Sequence, residues 1–134
     1  DLENTVVDGK NAYKSINNHE WVENEFLPRV QQRGAEIIQA RGASSASSAA
    51  RAACETVKAV EHPTRSGDVF NAAVMSDGAY GMPEGIFSGF PLISDGSGSI
   101  EIVRDYSLSD FAKAGLKKTA DELVAEKNLV KDLI

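Results

Sequence analysis

Apolar positions along this chain change their spacing twice, and the changes divide it into helices, then strands, then a last helix. From Asn18 onward, Val22, Phe26, Val30, Gly34 and Ile37/Ile38 recur at steps of three or four, while Glu20, Glu23, Glu25, Arg29, Gln32, Arg33 and Glu36 take the other faces. That period predicts an amphipathic helix reaching Arg41. Glu25 and Arg29 add a favourable pair one turn apart. Pro28 interrupts the pattern; its missing donor should kink the helix or split it into two abutting ones, with Pro28 near the start of the second. Ahead of this helix, Thr5-Val6-Val7 reads as a strand closed by Asp8-Gly9, a pair suited to the positive φ angles of a two-residue hairpin.

Gly42 ends the long helix, and Ser44 or Ser45 is placed to cap the next, which the pattern carries to Val60. Its Ala49, Ala50, Ala52, Ala53, Cys54, Val57 and Val60 predict close packing against a sheet or another helix. Read by composition alone, residues 42–50 also fit a flexible Gly/Ser/Ala linker. A Pro- and Gly-punctuated loop follows, and then the period becomes that of strands over residues 69–75, 86–93 and 100–103. The connections Ser76-Asp77-Gly78-Ala79-Tyr80-Gly81 and Ser94-Asp95-Gly96-Ser97-Gly98 are short and turn-rich, which favours antiparallel neighbours. The last helix opens at Ser107-Leu108-Ser109-Asp110, with Leu108, Phe111, Leu116, Ala120, Leu123 and Val124 as its buried face. The expected class is α+β, an antiparallel sheet packed with long helices.

Composition narrows the function classes. A length of 134 residues with 42% hydrophobic and 25% charged residues is one globular domain's worth. A net charge of −6 supplies no basic footprint, so neither nucleic acid nor an anionic membrane is expected as a partner. The single Cys54 has no internal disulfide partner, which fits a reducing, cytoplasmic setting and a buried, inert thiol. No apolar run is long enough for a membrane span. The two histidines, His19 and His62, lie far apart, so no metal site is expected. The glycines punctuate hairpins instead of forming a phosphate-cradling loop after a strand. Ser44, Ser45, Ser47 and Ser48 are nucleophiles by type only, since nothing marks a strained elbow around them.

The motifs add what composition does not. The run from Val30 through Gln31-Gln32-Arg33-Gly34-Ala35 and Ile37-Ile38 to Ala40-Arg41 and Ser44-Ser45-Ala46 resembles the substrate-domain signature of cytosolic-type malate dehydrogenases, a branch of the lactate/malate dehydrogenase superfamily. The resemblance extends through Trp21, Glu25-Phe26, Ser76-Asp77-Gly78 with Tyr80-Gly81, Pro83, Phe90-Pro91 and Thr119-Ala120-Asp121-Glu122-Leu123. Two departures stand out: Gly67-Asp68-Val69-Phe70 lies where the family has a tryptophan-bearing loop, and Gly89 replaces its usual serine.

The resemblance implies a lactate/malate dehydrogenase C-terminal-domain-like fold over residues 1–134, the substrate domain, with the dinucleotide-binding domain upstream and outside this chain. It implies an oxidoreductase of the tricarboxylic acid cycle that interconverts malate and oxaloacetate with NAD, NADP remaining open. Because the chain begins at Asp1 and not methionine, it is expected to be a fragment of a larger polypeptide, with the catalytic residues upstream of Asp1. No catalytic residue is therefore expected here, and the isolated fragment should be inactive. The resemblance makes Ser44 and Ser45 lining residues of the substrate and cofactor pocket, and Gln31, Gln32 and Arg33 part of a homodimer interface. A lactate or other 2-oxoacid dehydrogenase, or a non-catalytic oligomerisation or binding domain, stands as the alternative.

Overall fold

A computed structural model describes residues 2–44 and 46–133. They form two compact units, dividing between Cys54 and Glu55. After a short hairpin the chain is helical, then forms an antiparallel sheet and ends in a helix, an α+β fold as the spacing predicts.

The first unit opens on a short antiparallel hairpin, β1 (Val6–Val7) with β2 (Lys10–Asn11), in the register Val6↔Asn11 and Val7↔Lys10. Asp8 (φ 50°) and Gly9 (φ 74°) make the turn, both left-handed as a two-residue loop of this twist requires. Asn11 then caps α1 (Ala12–Ile16), its Oδ1 accepting from the Lys14 amide at 2.9 Å. This helix is an addition to the sequence-based expectation, being too short to show a period. Asn17 ends it in the left-handed region, and Asn18 caps α2 (His19–Trp21) by accepting from the Trp21 amide.

Pro28 falls in the first turn of its own α-helical segment, as the split reading expects, and that segment abuts the preceding one with no loop between them. A π-helical turn over Val22–Phe26 lets the Leu27 amide reach back to the Val22 carbonyl, and α3 (Leu27–Arg41) continues with proline in its first turn. The widened turn absorbs the carbonyl that the proline ring would otherwise strike. Val22 is buried and Phe26, Leu27 and Ile37 are half-buried, but Val30 and Ile38 stay 56% and 50% exposed. Gly42 (φ 70°) closes α3, its amide donating to the Ile38 carbonyl at 2.8 Å.

Helix α4 (Ala46–Glu61) carries the division between the units and buries none of its described side chains. This corrects two expectations. Ala49, Ala50, Ala52 and Ala53 are exposed, and Cys54 is exposed, not a buried thiol. The helical reading of residues 46–50, by contrast, prevails over the linker reading, because alanine is the strongest helix former.

The second unit is built on an antiparallel sheet of order β3-β4-β5: β3 (Phe70–Met75), β4 (Phe87–Ser94) and β5 (Ile100–Ile102). The register pairs Phe70 with Leu92, Ala72 with Phe90, Val74 with Ser88, and Leu92 with Ile102. Alternation sends Phe90 and Leu92 to one face, where they meet Ala79, Met82 and Ala120 in the core, with Phe70, Ala72, Val74, Tyr80, Ile102 and Leu116 around them. Ala120 and Leu116 come from α5 (Asp110–Leu129), capped by Ser109, whose Oγ accepts from the Ala112 amide. Phe111, expected on the buried face of α5, is 51% exposed, because the helix meets the sheet only from its second turn onward. The opposite face of the sheet leaves Met75 and Phe87 56% and 62% exposed.

Leu92, at 1% exposure, is the most enclosed large side chain in the unit. Leu92→Ala is expected to lower unfolding free energy by about 2–5 kcal/mol, through lost transfer energy and the cavity left behind. Phe87→Ala on the open face should change it by about 0.5 kcal/mol or less. Urea titration followed by circular dichroism checks both, and equal effects would contradict the assignment of the core.

Candidate functional site

The segment that carries the expected lining residues lies between two helix ends. The left-handed Gly42 turns the chain out of α3, Ala43 and Ser44 follow as exposed residues, and α4 begins at Ala46. Small side chains here leave the approach to the segment open, and the Ser44 hydroxyl is accessible from solvent. Ser45 lies outside the described residues.

Gln31, Gln32 and Arg33 are exposed on α3. Arg33 pairs with Glu36 at 3.2 Å, an exposed contact one turn along the same helix, worth little by itself. The three residues share the helix with the exposed Val30 and Ile38. Ser44 and this helix belong to the same unit, so both features assigned from the resemblance sit on the first unit.

Both histidines are engaged by neighbouring protein groups. His19 bridges Tyr13 and Glu23: its Nδ1 is in hydrogen-bond contact with the Tyr13 hydroxyl and its Nε2 lies 3.0 Å from the Glu23 carboxylate. The three side chains tie α1 to the turn after α2 on an exposed surface. His62 donates from Nδ1 to the Lys58 carbonyl at 3.1 Å, satisfying one of the last carbonyls of α4. Among the described residues no group of three His, Cys, Asp or Glu side chains could hold a metal ion. Among them also, no helix is long and apolar enough to cross a membrane.

An open cavity of about 430 Å³ lies in the second unit, lined by Val74, Leu92, Ile100 and Ile102 with Asp77, Glu101 and Arg104. Its cation is already engaged, since Arg104 pairs with Asp77. That guanidinium, with the Ala79 amide behind it, holds the Asp77 carboxyl below its usual range. Two carboxylates beside one committed arginine make this cavity a poor grip for a dicarboxylate. The pair spans 27 residues in sequence, and no local pattern announced it. The loop after β3 is held in the same way by distant contacts: the Tyr80 hydroxyl donates to the Val103 carbonyl, and burial pushes its pKa up.

The chain is similar over its whole length to known dehydrogenases. Residues 3–134 match the family described as lactate/malate dehydrogenase, alpha/beta C-terminal domain. A malate dehydrogenase of Magnetococcus marinus is 46% identical over 134 residues, which is 100% of this chain and 41% of that protein. The crystal structure of malate dehydrogenase from Naegleria fowleri superposes with a TM-score of 0.89 at 36% identity, covering 100% of this chain and 40% of that one. Trichomonas vaginalis lactate dehydrogenase in complex with NADH and oxamate gives a TM-score of 0.86 at 27% identity, covering 98% of this chain and 41% of that one. This chain belongs to the lactate/malate dehydrogenase family, as its alpha/beta C-terminal domain. It spans about two-fifths of the length of the relatives it matches.

Proposed function

We propose that this chain is the substrate-domain half of an NAD-dependent malate dehydrogenase, which interconverts malate and oxaloacetate. The observation that carries the reading is the 46% identity, unbroken across the chain, to a protein named malate dehydrogenase. A lactate dehydrogenase is the second reading, favoured by the 0.86 TM-score against the Trichomonas enzyme but at the lower identity of 27%. The general acid/base, the groups that grip the substrate carboxylates and the nucleotide-binding fold belong, on this reading, to the rest of the polypeptide.

The described residues fit a lining role toward the cofactor and not a holding one. Their larger sheet is antiparallel and hairpin-connected, without the parallel strand, glycine-rich turn and helix that cradle a dinucleotide's phosphates. Ser44 offers one exposed hydroxyl on a backbone with small neighbours, suited to hydrogen-bonding a substrate oxygen or a nicotinamide carboxamide without crowding either. Ser45 shares that proposed role. When bound, NAD supplies the hydride acceptor; this chain's part is to orient the reactants and exclude water. NADP is an open alternative, since the residue that would contact the ribose lies outside this chain. The proposed setting is cytoplasmic, where a reducing milieu keeps the exposed Cys54 thiol free.

The parent is further proposed to be a homodimer, with Gln31, Gln32 and Arg33 of α3 at the interface. Val30 and Ile38 support this, being large apolar side chains left half bare on a helix with no buried residue of its own.

In the intact parent, Ser44→Leu is expected to lower kcat/KM with oxaloacetate by about a hundredfold, because a bulky side chain displaces a reactant from its attack geometry. Unchanged kinetics would reduce Ser44 to a connector between helices. The interface is tested by sedimentation of the parent at micromolar concentration. A dimer that Val30→Glu converts to monomer is expected, and a strict monomer in the unaltered protein overturns the assignment.

A further inference from the structure

Three Asp-Gly steps occur in the chain, at Asp8-Gly9, Asp77-Gly78 and Asp95-Gly96, and the fold treats them differently. An Asp-Gly step is chemically vulnerable because glycine leaves its amide nitrogen unhindered beside the aspartyl carboxyl. The nitrogen attacks Cγ, forming an N–Cγ bond, and the carboxyl C–OH bond breaks. The hydroxyl leaves with the amide proton as water, and the product is a five-membered succinimide. Water then opens the ring at either carbonyl. Opening at the main-chain carbonyl leaves the backbone running through Cβ and Cγ, an isoaspartyl residue. No reagent other than the water released and regained is needed.

Two of the three steps are locked by the same device. In Ser76-Asp77-Gly78 the Gly78 amide donates to Ser76 Oγ at 3.2 Å, and in Ser94-Asp95-Gly96 the Gly96 amide donates to Ser94 Oγ at 3.0 Å. Both serines are buried, and their hydroxyls are anchored in turn on the Met82 and Val60 carbonyls at 3.0 and 2.6 Å. The carboxylates are committed as well. Asp77 accepts from the Ala79 amide and pairs with Arg104. Asp95 accepts from the Ser97 amide at 2.7 Å and from its hydroxyl at 2.8 Å. These donors hold both carboxyls below their usual range, and an ionised carboxylate is a poor electrophile. Gly96 is also wedged against Pro63, so its turn has little room to rearrange.

Asp8-Gly9 has none of this. Its turn is exposed, a side chain at Gly9 would meet nothing within 4 Å, and no hydrogen bond or ion pair engages the Asp8 carboxyl or the Gly9 amide among the described residues. The hairpin it closes has two residues per strand, with Val6 and Val7 65% and 58% exposed. So short a ribbon opens readily on its own. We propose that Asp8-Gly9 is the isoaspartate-forming modification site of this protein, and that Asp77-Gly78 and Asp95-Gly96 are protected by their serine-anchored turns. The extra main-chain methylene at Asp8 would shift Val6 and Val7 out of register with Asn11 and Lys10, and Asn11 is the cap of α1.

The test uses the intact polypeptide held at neutral pH, with samples taken over time. Digestion with a protease that cleaves before aspartate but not before isoaspartate, followed by electron-transfer fragmentation, reads each site. In the folded protein isoaspartate is expected at Asp8 at least about tenfold faster than at Asp77 or Asp95, a difference of about 1.4 kcal/mol in barrier. In concentrated denaturant the three rates should converge, since the dipeptide is the same. Equal rates in the folded protein, a faster rate at Asp77 or Asp95, no isoaspartate at Asp8, or a ranking that persists in denaturant would each overturn the proposal.

Discussion

β4 is the strand on which the second unit depends. It alone pairs on both sides, to β3 and to β5, and its Phe90 and Leu92 are the most enclosed large side chains of the core. Everything that covers the inner face is arranged about those two residues. The loop from Ser76 to Met82 folds over them, which demands the left-handed Gly78 and the left-handed Tyr80 (φ 55°). That is an unusual conformation for an aromatic residue, sustained where Ala79 and Met82 are buried and the Tyr80 hydroxyl finds the Val103 carbonyl. α5 adds Ala120 and Leu116 from the other direction. A three-stranded sheet with one covered face is a small core, and the exposed Met75 and Phe87 on its other face mark the limit of what this unit buries by itself.

The elements that were legible in the sequence are those whose period is set by that burial. Alternation around Phe90 and Leu92 located all three strands to within a residue or two, and Ser109 with Asp110 marked the start of α5. Helix α1 was invisible because five residues carry no period, although Asn11 was an available capping signal. The outcome at Pro28 was chosen by the π-helical turn before it, whose widened hydrogen bond no local pattern encodes. Cys54 and Phe111 are exposed for a common reason: an apolar residue type in a helical pattern does not fix how far along the helix the packing extends.

The same reasoning separates what the candidate site owes to each source. The Gly42 helix stop was legible in the sequence, and the structure gives Ala43 and Ser44 beside it as exposed. Their role toward a substrate rests on family likeness, since nothing in the local geometry of a free hydroxyl identifies its ligand. The paired Asp77 and Arg104 were not legible at all, being joined only by the folding of the sheet. Val30 and Ile38 on α3 and Met75 and Phe87 on the sheet are large apolar side chains left exposed, and α4 has no buried side chain. On the proposed reading those faces meet the rest of the parent, of which a chain spanning two-fifths of its relatives' length would be one part.

On the proposed function, this chain contributes walls and contacts to a dehydrogenase whose chemistry resides in the remaining sequence. The most direct measurement follows NADH absorbance with oxaloacetate, using the purified chain alone and the intact parent at equal molar concentration. The account predicts turnover by the parent and none above background by the chain. Turnover by the chain alone, free of host enzyme, or none by the parent would contradict it.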